Sequence, residues 1–150
     1  MHDSTAPTAE LMSAIDRVRR LSNHHSRLLQ ERFGITVYQL GVLAAVDDGA
    51  RQLGEVAHGT GQQVSSASRL VDRLVKDGLL ERDADTRDRR AVVLGLTDAG
   101  RTVLEDARRL VGATMQQAIA RMPQSKAAQL MPALEAFLDA ADAVFDDQPE

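Results

Sequence analysis

Cysteine is absent from the 150 residues, which excludes thiol nucleophiles, disulfide frameworks, cysteine-ligated zinc and direct thiol redox sensing. Tryptophan is absent too, and the aromatic residues, 3% of the chain, are Phe33, Tyr38, Phe137 and Phe145. A core must therefore be aliphatic. No apolar run reaches the ~18–20 residues of a membrane span, and residues 1–7 carry no lysine or arginine to open a secretory signal. The expectation is a cytoplasmic protein with no membrane partner.

What remains is a helical vocabulary. Ala, Leu, Val and Arg dominate, and apolar residues make 43% of the chain. A chain of this length buries roughly 68–70% of its unfolded surface and needs no metal to hold a core. The net charge of −4 looks unfavourable for a nucleic-acid partner, but its distribution is uneven. Residues 51–101 carry 9 basic and 8 acidic side chains, whereas residues 102–150 carry 4 and 8. Binding DNA requires only a local basic surface, so the global sign excludes nothing.

Periodicity orders the chain. Leu11, Ile15, Val18, Leu21, Leu28 and Leu29 recur at helical spacing and predict one long helix over about residues 9–31. Gly34 stops it and Thr36 is a good N-cap for a second helix carrying Val37, Leu40, Val42, Leu43 and Val46. A short helix follows, with Leu53, Val56 and Ala57 as its buried positions. After the tight turn Gly59-Thr60-Gly61 a fourth helix runs over about 62–77, with Gly78 as its terminating residue. The period then changes to two short strand-like runs, 79–82 and 91–96, joined by the charged stretch 83–90; this reads as a hairpin. Thr97 caps a long helix bearing Val103, Leu104, Leu110, Val111, Met115, Ile119 and Met122. Pro123 breaks it, and a last helix carries Leu130, Met131, Leu134, Phe137, Leu138, Val144 and Phe145.

A helix, a tight turn, a second helix and a hairpin make a winged helix-turn-helix, whose second helix enters a DNA major groove. The expected fold is mainly α (α+β), with long N- and C-terminal helices. With about 100° per residue, Val64, Ala67, Leu70, Val71, Leu74 and Val75 share one arc, to be packed on the preceding helices. Gln62, Ser65, Ser66, Arg69, Arg73 and Lys76 share the opposite one. Its first half is small and polar enough to approach base edges, where Arg suits guanine and Gln suits adenine. Arg69, Arg73 and Lys76 repel one another at three- and four-residue spacing, which a facing phosphate chain would offset. The plain alternative is a solvated face, with Asp72 pairing Lys76 and Asp77 pairing Arg73. Arg87, Arg89 and Arg90, crowded at the hairpin tip, favour DNA, because arginine on a narrow protrusion fits the minor groove.

Residues 79–82 (Leu-Leu-Glu-Arg), 85–91 (Asp-Thr-Arg-Asp-Arg-Arg-Ala) and 96–100 (Leu-Thr-Asp-Ala-Gly) resemble the wing signature of the multiple antibiotic resistance regulator (MarR) family. Residues 70–79 resemble its recognition helix and residues 36–40 the start of its second helix, so the likeness runs in order along nearly the whole chain. The resemblance implies a homodimeric transcription regulator in which helices 9–31 and 98–146 dimerise and 36–97 binds double-stranded DNA. It further implies a repressor of a palindromic operator, released by a small aromatic or lipophilic effector. By motif position, Ser68 and Arg69 match base-reading residues, and Arg90 matches a wing arginine bonded to an aspartate and inserted in the minor groove. An effector site is expected where the dimer helices meet the wing region, near His24, His25, Tyr38 and Met115. Gly54 and Gly59-Thr60-Gly61 depart from the pattern and predict a more flexible helix-turn-helix.

Other chemistry is not supported. Asp83-x-Asp85 opens like a calcium loop, but the sixth position is Asp88 and the twelfth Leu94. Gly59-Thr60-Gly61 lacks the lysine and spacing of a phosphate loop. His2, His24, His25 and His58 include no i, i+4 pair for zinc. No nucleophile elbow or acid pair occurs, so no enzyme and no cofactor are expected. The alternative function is a dimeric helical interaction module of the same fold without DNA binding.

Overall fold

The computed structural model of the chain describes residues 5–84 and 92–146. The elements are α1 (Thr5–Phe33), α2 (Val37–Asp47), α3 (Leu53–Gly59), α4 (Val64–Lys76), β1 (Leu80–Ala84), β2 (Val92–Leu96), α5 (Asp98–Ala120) and α6 (Gln124–Asp146). This is the expected order. The first helix begins earlier than its apolar stripe, because residues 5–8 contain nothing that stops a helix except Pro7, which is tolerated in a first turn.

The chain divides into two compact units, Met1–Arg109 and Leu110–Glu150. The core of the first is aliphatic: Leu29, Ile35, Val42, Leu43, Val56, Val71, Leu74, Leu80 and Leu104 are fully or almost fully buried. They come from α1, the link to α2 (Ile35), α2, α3, α4, β1 and α5, so the helix-turn-helix packs as one body with its hairpin.

Local chemistry sets where each helix begins and ends. Thr36 Oγ1 accepts from the Gln39 N–H at 3.2 Å, while Gln39 Oε1 accepts from the Thr36 N–H at 2.9 Å, a reciprocal capping box on α2. The Glu55 carboxylate receives the N–H groups of Arg51 at 2.6 Å and Gln52 at 3.0 Å, and these two donors hold its pKa below the usual carboxylate value. Gly61 (φ +61°) and Gly78 (φ +72°) occupy the left-handed region. At each, two N–H groups turn back on the helix: Gly61 to His58 and Gln62 to Ala57, then Gly78 to Val75 and Leu79 to Leu74. This double cap suits glycine and ends α3 and α4 sharply. The turn between α3 and α4 is thus closed by backbone hydrogen bonds around Gly61.

β1 and β2 pair antiparallel, with Leu80 opposite Leu96 and Arg82 opposite Leu94. The Leu94 N–H donates to the Arg51 carbonyl at 2.8 Å, which ties the root of the hairpin to the segment before α3. β1 lies slightly later than its apolar run suggests, because Leu79 is spent on the α4 cap.

Thr97 caps α5 as expected, its Oγ1 accepting from the Gly100 N–H at 3.0 Å while donating to the Gly78 carbonyl at 2.7 Å. Arg108 reaches Asp47 at 2.7 Å and so fastens α5 to the end of α2. In the second unit α5 ends at Ala120, and the Pro123 carbonyl accepts the first N–H groups of α6, from Lys126 and Ala127. α6 contains Pro132, and Leu130, Met131, Leu134, Phe137, Leu138 and Val144 are all exposed. On α1, Leu11, Met12, Ile15, Val18 and Leu21 are exposed as well. Among the described residues no helix is long and apolar enough to cross a membrane.

Candidate nucleic-acid interface

α4 presents the two expected faces. Ala67, Val71 and Leu74 are buried, and α4 packs against α2, α3 and β1. Val64 is a correction: it stands on the apolar arc yet is 53% exposed. Helical angle fixes where a side chain points, but not whether a neighbouring element reaches the first turn. On the opposite arc Ser65, Arg69, Arg73 and Lys76 are exposed, while Gln62, Ser66 and Ser68 are half-buried.

Gln62, Ser66, Arg69 and Leu70 line an open groove together with Tyr38 from the first turn of α2, roughly 530 Å³ in volume. Arg69 lies along its own helix, its Nε donating to the Ser65 carbonyl at 3.4 Å, a long and easily exchanged bond. This groove gathers three of the sequence-derived DNA candidates at the N-terminal half of α4. Ser68 is not among its lining residues.

Two aspartates sort the cations of the exposed arc. Asp77 accepts from Arg73 Nε at 2.8 Å, as the solvated-face alternative expects. Asp72, by contrast, pairs with Arg82 of β1 at 2.6 Å and leaves Lys76 alone, because β1 brings its guanidinium over the helix. Among the described residues Arg69 and Lys76 form no ion pair. Exposed pairs of this kind are worth about 0–1 kcal/mol each, so the role of Asp72–Arg82 is to register the hairpin on α4. Sequence reading missed it, since residues ten apart on different elements carry no shared periodicity.

Arg87, Arg89 and Arg90 lie outside the described residues. Of the residues expected at an effector site, three lie in the first unit and Met115 in the second. Tyr38 is exposed in the α4 groove. His25 is buried with its Nε2 unpartnered, and its ring lies 6.3 Å from that of exposed His24. Met115 is half-buried in the second unit. Tyr38, on the first turn of α2, faces the front of α4. Among the described residues no cluster of three or more His, Cys, Asp or Glu could hold a metal ion.

The model of the MarR family matches residues 33–91, the span from the end of α1 into the hairpin. The chain is 35% identical over 77 residues to the HTH-type transcriptional repressor MdtR of Bacillus subtilis, an alignment covering 51% of this chain. The chain spans about half the length of that relative, 50%. Among solved structures it superposes on the transcriptional regulator BldR of Sulfolobus solfataricus with a TM-score of 0.76 at 22% identity. That match covers 92% of this chain and 99% of BldR. It also superposes on wild-type MarR of E. coli with a TM-score of 0.64 at 28% identity, covering 82% of this chain and 96% of MarR. Residues 33–91 carry the match to the MarR family, and the order of capped α3 and α4, paired hairpin and long flanking helices is the winged helix-turn-helix fold that these solved regulators share.

Proposed function

We propose that the protein is a sequence-specific, double-stranded DNA-binding repressor that works as a homodimer on a palindromic operator. The observation that carries this is the α4 groove, where Gln62, Ser66 and Arg69 converge and Arg69 and Lys76 remain free of ion pairs among the described residues. A solvated face has no need to keep these cations unneutralised while aspartates beside them engage Arg73 and Arg82. The repressor named among its relatives supports the sign of regulation. Ser65 and Ser68 border the reading positions, and Arg87, Arg89 and Arg90 supply the minor-groove contact. Mobility-shift assays with duplexes from the neighbourhood of its own gene test the reading; no retarded fragment at low salt would leave the interaction-module alternative.

The exposed apolar rows on α1 and α6 support a dimer, since they are too extensive for a soluble monomer to leave uncovered. Obligate interfaces of this type commonly bury more than ~2,000 Å². Light scattering is expected to give twice the 16.3 kDa chain mass. Deleting residues 125–150 should yield aggregated or unfolded material. A soluble, folded monomer from that truncation would contradict the assignment of these helices.

Release by a small aromatic or lipophilic effector completes the proposal. The unpartnered Nε2 of buried His25 supports it, because a buried polar atom without a hydrogen bond costs about 1–3 kcal/mol and a ligand atom could satisfy it.

A further inference from the structure

Tyr38 is 65% exposed, although it is one of only four aromatic side chains in the chain. Its neighbours in the first turn of α2 have local tasks: Thr36 and Gln39 close the capping box, and Gln39 is itself buried. Tyr38 takes no part in that box. It stands in the groove with Gln62, Ser66, Arg69 and Leu70, on a different helix from the reading face but opening onto the same space.

From this juxtaposition we propose that Tyr38 is a DNA-backbone contact, its hydroxyl donating to a phosphate oxygen and its ring lying against the adjoining deoxyribose. The inference rests on the DNA-binding reading above. A duplex edge seated on Ser66 and Arg69 brings its flanking strand past the other wall of that groove, and Tyr38 is that wall. The base edges are taken by α4, so the chemistry left for a phenol at the rim is the sugar-phosphate chain. Tyrosine serves such contacts, which fix register on the duplex without carrying sequence information. The contact is neutral: it should add affinity without releasing a counterion, unlike a lysine on a phosphate. The groove is open rather than enclosed, which suits a rod passing through it better than a small molecule, most of whose surface a pocket must cover.

The chain contains one tyrosine and no tryptophan, so its intrinsic emission reports Tyr38 alone. The full-length protein is titrated at about 50 mM salt with a labelled random-sequence duplex, read in parallel by anisotropy of the label and by tyrosine emission. Emission is corrected for DNA absorbance with free N-acetyltyrosinamide. The expected result is a change in emission that saturates with the anisotropy. Tyr38→Phe, checked for unchanged circular dichroism, should bind roughly five- to tenfold more weakly, with the salt slope of the wild type. Anisotropy saturating with unchanged emission, or full affinity in Tyr38→Phe, would overturn the Tyr38 contact while leaving DNA binding intact. Emission that responds to aromatic acids but not to duplex would overturn it in favour of an effector site. No binding in either channel would remove the DNA-binding reading and this contact with it.

Discussion

Gly100→Ala is expected to destabilise the fold by about 3 kcal/mol or more, the upper end of the overpacking range, and to lower the melting temperature by roughly 6–12 °C. A Cβ at Gly100 would lie 1.9 Å from the Leu79 carbonyl oxygen and 2.9 Å from its carbon. Both are backbone atoms, so no rotamer change can make room. Leu79 is also held from three sides: its N–H donates to Leu74, its carbonyl accepts from the Thr97 N–H at 3.3 Å, and Thr97 in turn holds Gly78. Moving it would loosen the end of α4 and the start of β1 together, and DNA affinity should fall with stability. Gly112→Ala in the same helix is the control. Nothing lies within 4 Å of the place its new methyl group would take, and relief of glycine's helical cost should stabilise by up to about 1 kcal/mol. Equal melting temperatures for the two variants would contradict the close approach.

Arg69→Ala should cost about 1–3 kcal/mol on the operator and blur preference at one base pair per half-site. Arg69 lies one turn beyond Ser65, at the groove shared with Gln62 and Ser66, and its long bond to the Ser65 carbonyl is weak enough to be exchanged for a base. Lys76 is at the far end of α4, where phosphates rather than bases are the expected neighbours. Lys76→Ala should weaken all duplexes alike and lower the salt slope by about one. Titration of both variants on operator and scrambled duplex at two salt concentrations separates the roles. An equal loss on both duplexes for Arg69→Ala would mean that the residue does not read bases.

The fold was legible wherever the chain's own stereochemistry decides the outcome. Gly34, Thr36, Gly78 and Thr97 mark helix ends through caps that involve neighbours two to five residues away, and each does so here. Buried positions followed from period for Val71 and Leu74, deep in the middle of α4. The same period misplaced Val64, because burial at a helix end depends on which other element arrives there. The turn glycines could not show the paired hydrogen bonds that close the turn onto the preceding helix.

The site was legible one helix at a time. Angular position collected Gln62, Ser66 and Arg69, which the fold keeps together. It could not collect Tyr38, 24 positions before Gln62, or match Asp72 to Arg82 across the turn into β1. Asp77 was assigned to Arg73 correctly because i, i+4 spacing on one helix is a local relation. The exposed rows on α1 and α6 were visible as stripes, and it is their exposure in the single chain that motivates the proposed dimer.

The central claim is that this chain discriminates one DNA sequence from another. The most direct measurement is the ratio of dissociation constants for the full-length protein on its retained genomic fragment and on a scrambled duplex of equal length, at one near-physiological salt concentration. Base reading through α4 predicts at least about a thousandfold preference for the fragment, the lower end for specific regulators. A ratio near one, with both affinities falling together as salt rises, would contradict it.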